Sequence, residues 1–197
     1  MGRKLKRSQN RRKEIEFLKE RFVGRSAKPG CHEFIIVLDN LKASFNLGKI
    51  FRSAFVFGAK EIHVVGTKWF DPGPAKGALK YVPAKFFDSI EASFLDLQAQ
   101  GYAIFAFDMH GEASLGKAPL PEKSAFIFGN EGVGISFDAN SLGVKILSIP
   151  QFGSMESLNV SVAASIAMYE YVRDRGGSGS KMLSVERGEP RERKRAK

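Results

Sequence analysis

Ala125-Phe126-Ile127-Phe128-Gly129-Asn130-Glu131-Gly132-Val133-Gly134 joins four consecutive apolar residues to a loop of three glycines around one carboxylate. A short apolar run that stops at glycine reads as a strand buried on both faces, the kind found in parallel sheets. Glycines directly after a strand let backbone approach a ligand closely, so 129–134 is a candidate binding loop. Its Gly-x-x-Gly-x-Gly spacing is not the dinucleotide-binding fingerprint.

Outward from this run, similar short apolar segments recur at 33–38, 61–65, 102–107 and 145–149, and helix-length segments fit 47–57, 89–100 and 158–173. Strands alternating with helices predict an α/β fold, a mostly parallel sheet flanked by helices on both faces. In 158–173, Val162, Ile166, Tyr169 and Val172 form one stripe, the pattern of an amphipathic helix. Ligands bind such sheets beyond the carboxyl ends of the strands, so the loops after Phe107, Phe128 and Ile149 are where chemistry is expected. An enzyme using a nicotinamide cofactor would need a glycine-rich turn after its first strand, and Asp39-Asn40-Leu41-Lys42-Ala43-Ser44 has none.

Two further segments are unlike ordinary connectors. Asn46-Leu47-Gly48-Lys49-Ile50-Phe51-Arg52 sets an amide at a helix start and an arginine six residues later among apolar neighbours. Asn46 alone would be explained as an N-cap, and Arg52 alone as a surface residue. Ile149-Pro150-Gln151-Phe152-Gly153-Ser154-Met155-Glu156-Ser157-Leu158-Asn159 is a long polar connection from the last strand to the last helix. Ser157 and Asn159 fall at that helix's N-terminus, where backbone N–H groups suit an anion. The single cysteine, Cys31, reads as a small residue near the start of the core, and His32, His63 and His110 are too scattered to suggest a metal. His63 alternates with apolar residues and reads as a core or edge residue.

The net charge of +10 is unevenly placed. Residues 1–30 carry 11 Lys/Arg against 3 Glu, and 176–197 carry 7 against 3, which leaves 13 basic and 15 acidic residues for 31–175. Basic ends of this kind attract a polyanion by counterion release. The expected layout is a basic arm at 1–30 with a short helix from about Glu14 to Phe22, one domain at 31–175, and a disordered basic tail at 176–197. With no apolar run of membrane-spanning length and no apolar leader, a soluble cytoplasmic protein is expected.

Taken in order, Asn46-x-Gly48-x-x-x-Arg52, Gly129-Asn130-Glu131-Gly132-x-Gly134 and Ile149-Pro150 with Ser157-Leu158-Asn159-Val160-Ser161-x-Ala163 resemble the three motifs of the SpoU branch of the SPOUT methyltransferases. Gln151 departs from the methionine usual after Ile-Pro in that family. The resemblance implies an RNA ribose 2'-O-methyltransferase that converts S-adenosylmethionine to S-adenosylhomocysteine without a metal. It also implies a C-terminal trefoil knot, which pattern reasoning alone would reject because knotted chains are rare. A homodimer is implied, with the active site near the subunit interface and built from both chains. The cofactor would lie against Gly129, Ile149 and Leu158, near Gln151 and the strand end Ala106-Phe107. Arg52 would be catalytic, with Asn46, Glu131, Ser157 and Asn159 holding the ribose, the arginine or the knot loop. The substrate would be transfer or ribosomal RNA, with a lean to transfer RNA; the competing reading is a non-catalytic RNA-binding protein that kept the fold.

Overall fold

The structure is a computed structural model that describes residues 2–42, 45–154, 157–173 and 175. Along the chain the elements are α1 (Gly2–Gly24), β1 (Phe34–Asp39), α2 (Phe45–Val56), β2 (Glu61–Val65), β3 (Ala84–Phe87), α3 (Ile90–Ala99), β4 (Ala103–Phe107), β5 (Ala113–Ser114), β6 (Ser124–Phe128), β7 (Lys145–Ser148) and α4 (Val160–Arg173). The strands form one seven-stranded sheet in the order β3-β2-β1-β6-β4-β7-β5. Every pairing between them is parallel. The tail expected at 176–197 lies outside the described residues.

Burial on both faces explains the continuous apolar runs. In β1, Phe34, Ile36 and Leu38 enter the cluster formed with α1, α2 and α4, while Ile35 and Val37 enter the cluster formed with α3. Successive strand residues point to opposite faces, so the interior of a strand covered on both sides, as in β1, reads as continuously apolar, whereas β2 places Glu61 and His63 at alternate buried positions. In α2 the buried residues Leu47, Ile50, Phe51 and Ala54 follow the helical repeat. α3 is capped by Ser89, whose side chain accepts from Ala92 N at 3.4 Å.

Three expectations are corrected. In α4 the buried face is Ser161, Ala164, Ala167, Met168 and Tyr171. Small residues let that helix come close to the sheet, and the stripe read from the sequence faces outward at Val162 and Tyr169, which are 46% and 55% exposed. At the N-terminus the helix runs over Gly2–Gly24. Of its apolar residues Ile15, Phe17, Leu18 and Phe22, Phe17 alone is buried, edge-on to Phe70 and Phe86 with ring centroids at 5.0 and 5.9 Å. Lys13 binds Asp71 at 2.6 Å and the Arg21 guanidinium lies 3.8 Å from the Phe86 ring centroid, so α1 is fastened by one face. Cys31 is exposed and sits outside the core.

His63 is fully buried in β2, held by Ser93 Oγ at 2.8 Å and Glu61 Oε1 at 2.9 Å. Among the described residues, Glu61, His63 and Asp96 offer ligand atoms within 4.8 Å of one another. The Lys85 ammonium stands 3.0 Å from Glu61 and 2.8 Å from Asp96, so both carboxylates already have a cation. Burial pushes the Glu61 carboxyl up, but hydrogen bonds with His63 and Lys85 outweigh it and hold it below the usual range. Its contribution to stability is therefore present above the unfolded carboxyl pKa of about 4.3 and lost as pH falls through the lower folded value. Glu61→Gln is expected to cost about 1–3 kcal/mol at neutral pH. Urea denaturation of both proteins should show that difference shrinking below about pH 4; a constant difference would contradict the assignment.

Candidate active site

The carboxyl ends of β4, β6 and β7 open into a cavity of about 420 Å3. Three loops line it: Phe107, Asp108 and Met109 after β4; Gly129 to Gly132 with Gly134 after β6; and Ile149, Gln151, Ser157 and Leu158 between β7 and α4. The first turn of α4 closes it through Asn159, Val160 and Ala163. The loop after β6 doubles back tightly. Asn130 and Gly134 exchange backbone hydrogen bonds at 2.8 and 2.9 Å, and Gly132 N donates to Asn130 Oδ1 at 2.9 Å. A Cβ on Gly129 would lie 2.3 Å from the Gly134 carbonyl carbon, so this position has room for glycine alone.

Of the residues expected to hold a cofactor, Gly129, Ile149, Leu158, Phe107 and Gln151 line this cavity. Ala106 does not: it is fully buried one residue deeper in β4 and packs with the α3 side of the sheet. Asp108 and Met109 also line the cavity, though neither was singled out in the sequence, and so does Asn130 of the candidate loop. A polar residue directly after a strand, as at Asp108, was the available signal for the first of these.

Three of the remaining site residues, Asn46, Glu131 and Asn159, join a hydrogen-bonded chain across α2 and α4, while Ser157 lines the cavity. Asn46 lies in the first turn of α2 rather than before it, and its Nδ2 donates to Glu131 Oε1 at 2.9 Å. Asn159 Nδ2 donates to Asn46 Oδ1 at 3.2 Å, and Asn159 Oδ1 accepts from Ser161 Oγ at 2.6 Å and Ser161 N at 3.0 Å. From there Ser165 Oγ donates to Ser161 O at 2.7 Å and meets Ser53 Oγ at 2.8 Å. The chain thus passes from the cavity wall at Glu131 to Ser53, the neighbour of Arg52.

Arg52 itself is outside that cavity. It is exposed on α2 and lines a second one, of about 470 Å3, with Lys49, Ser53, Pro74, Ser161, Val162, Ser165, Ile166 and Tyr169. Val160 and Ala163 face the first cavity, and Ser161 and Val162 the second, so the start of α4 is a wall common to both. Lys49 and Arg52 give the second cavity a cationic rim suited to an anionic partner.

The comparison with known families matches the three loops and α2 together, from residue 33 to 169, to the model described as the SpoU rRNA Methylase family. The chain belongs to the SpoU family. Among curated SpoU relatives it is 32% identical over 148 residues to the 23S rRNA (guanosine-2'-O-)-methyltransferase RlmB of Neisseria meningitidis, covering 72% of this chain and 58% of that protein. It is 29% identical over 178 residues to the tRNA (guanosine(18)-2'-O)-methyltransferase of Thermus thermophilus, covering 88% and 87%. Among solved structures it resembles the SpoU methyltransferase AviRb of Streptomyces viridochromogenes in complex with AdoMet. The TM-score is 0.66 at 26% identity, covering 74% of this chain and 61% of that one. The chain spans less than two thirds of several SpoU proteins it matches.

Proposed function

We propose that this SpoU protein is an S-adenosylmethionine-dependent RNA ribose 2'-O-methyltransferase acting in the cytoplasm on transfer or ribosomal RNA, with a lean to transfer RNA. The observation that carries this reading is the convergence of three loops on one cavity whose wall is tied through Asn46 and Asn159 to the helix of Arg52. The cavity suits the cofactor. Its volume of about 420 Å3 falls in the range for small-molecule sites. Phe107, Met109, Ile149, Leu158 and Val160 offer an apolar bed for a base, and Asp108, Glu131 and Gln151 offer polar groups for an amino acid and a ribose. When bound, S-adenosylmethionine supplies an electrophilic methyl group and leaves as S-adenosylhomocysteine.

This chain's residues then have two tasks, orientation and charge stabilisation. Arg52 holds the phosphate next to the target ribose with both ends of its guanidinium, which aims the 2'-hydroxyl and stabilises the negative charge that develops on its oxygen. A guanidinium keeps its proton at any physiological pH, so the hydroxyl proton leaves to phosphate or solvent. Asn46, Glu131, Ser157 and Asn159 keep the loops and α2 in register.

The same reading includes a homodimer, because the site is divided between two cavities and an apolar surface lies beside the second. Phe55 and Val56 on α2 are 52% and 70% exposed, and Val162 and Tyr169 on α4, which line the second cavity, are 46% and 55% exposed. A second copy covering that surface would bring another cavity rim to Arg52. The reading also includes the trefoil knot. It is supported by the late insertion of β6 between β1 and β4 and of β7 between β4 and β5, with α4 returning to pack on α2. Residues 1–30 would serve as a basic RNA-gripping arm, 31–175 as the methyltransferase domain, and 176–197 as a second basic tail. The lean to transfer RNA rests on the near full-length match to the Thermus enzyme. Digestion of the methylated RNA to nucleosides tests the chemistry: a ribose-methylated nucleoside from the transfer RNA fraction is expected, and a base-methylated product would contradict it.

A further inference from the structure

Asp39 closes β1 with a side chain that is fully buried and lies outside the cofactor cavity. A buried carboxylate is costly unless donors surround it. This one accepts three hydrogen bonds: from Ser136 N at 2.6 Å, from Ser136 Oγ at 2.8 Å and from Asn40 Nδ2 at 2.8 Å. Ser136 directly follows the loop that forms one wall of the cavity. Asn40 secures the other end of that loop, because its carbonyl accepts from Asn130 Nδ2 at 2.8 Å. Asn40 takes a left-handed backbone, φ 51°, and its side chain occupies space that any residue but glycine at Gly66 would fill: a Cβ there would lie 1.9 Å from Asn40 Oδ1.

We propose that Asp39 is a positioning residue that latches both ends of the 130–136 loop and thereby sets cofactor affinity, with Ser136 and Asn40 as its two arms. The proposal rests on the cofactor reading above. Asp39 touches neither the cavity nor Arg52, so its effect should be confined to the loop. The geometry also separates a latch from general core stability, since Ser136 is exposed and its substitution leaves no hole in the core.

The test uses the full chain in four forms: wild type, Ser136→Ala, Ser136→Thr and Asp39→Asn. Loss of one hydrogen bond to a carboxylate should weaken S-adenosylhomocysteine binding by about tenfold in Ser136→Ala, while Ser136→Thr, which keeps the hydroxyl, binds as wild type. In Asp39→Asn an amide N–H2 must face another donor, and the loss should be larger. Turnover at saturating cofactor and KM for RNA should stay near wild type in all three variants. Amide exchange at Gly132, Gly134 and Ser136 is measured alongside, without ligand. Faster exchange there in Ser136→Ala, with β4 amides unchanged, supports the latch even if the wild type binds no S-adenosyl compound, an outcome that would overturn the cofactor reading alone. Unchanged exchange in the loop of Ser136→Ala, or unchanged S-adenosylhomocysteine affinity in Ser136→Ala when the wild type does bind, would overturn the latch. If Asp39→Asn does not fold, the alanine and threonine pair decides.

Discussion

Replacing Arg52 by alanine is expected to lower methyl transfer by about 10²–10³-fold, the usual cost of removing one group that stabilises developing charge. Cofactor affinity and thermal stability should be unchanged, because Arg52 is exposed and lines a different cavity from the one assigned to the cofactor. Arg52→Lys separates two roles for the cation. A lysine supplies a point charge without the planar fork, so a two-pronged grip on phosphate predicts that it too loses at least about tenfold in turnover. Steady-state rates with varied RNA and saturating cofactor give the comparison, and near-normal turnover in the lysine variant would show that charge alone suffices.

The second large effect belongs to Gly129. A methyl group there would lie 2.3 Å from the carbonyl carbon of Gly134 and 2.4 Å from its oxygen, both backbone atoms. Neither can swing away as a side chain would, so Gly129→Ala must push apart the Asn130–Gly134 bridge that shapes the cavity wall. Overpacking of this kind costs about 1–3 kcal/mol. Felt at the cavity, that corresponds to roughly a ten- to hundredfold loss of S-adenosylmethionine affinity. Calorimetric titration of the alanine variant measures it; wild-type affinity would mean that the loop does not contact the cofactor.

The central strands were legible in the sequence because burial on both faces leaves runs of consecutive apolar residues, as 34–38 and 125–128 show. β3 and β5 were not: Ala84–Phe87 and Ala113–Ser114 are short strands at the two sheet edges, with too few residues to show a period. α4 exposes a different weakness of pattern reading. A stripe of large apolar residues marks a face that wants cover, but Ala164, Ala167, Met168 and Tyr171 took the contact with the sheet, leaving Val162 and Tyr169 exposed and Ile166 and Val172 only half-buried. The site was legible as motifs and not as an arrangement. Asn46 meets Glu131 across 85 residues of sequence and Asn159 across 113, and Asp39 meets Ser136 across 97. No local spacing encodes such pairs, which is why Asp39 gave no signal and why nothing in the sequence separated Arg52 from the cofactor cavity.

The most direct test is transfer of labelled methyl from S-adenosylmethionine to total RNA separated into transfer and ribosomal fractions, with Arg52→Ala in parallel. Label is expected in the transfer RNA fraction and should nearly vanish in the variant. Label in neither fraction, from protein shown to bind the cofactor and offered unmodified RNA, would contradict the methyltransferase reading.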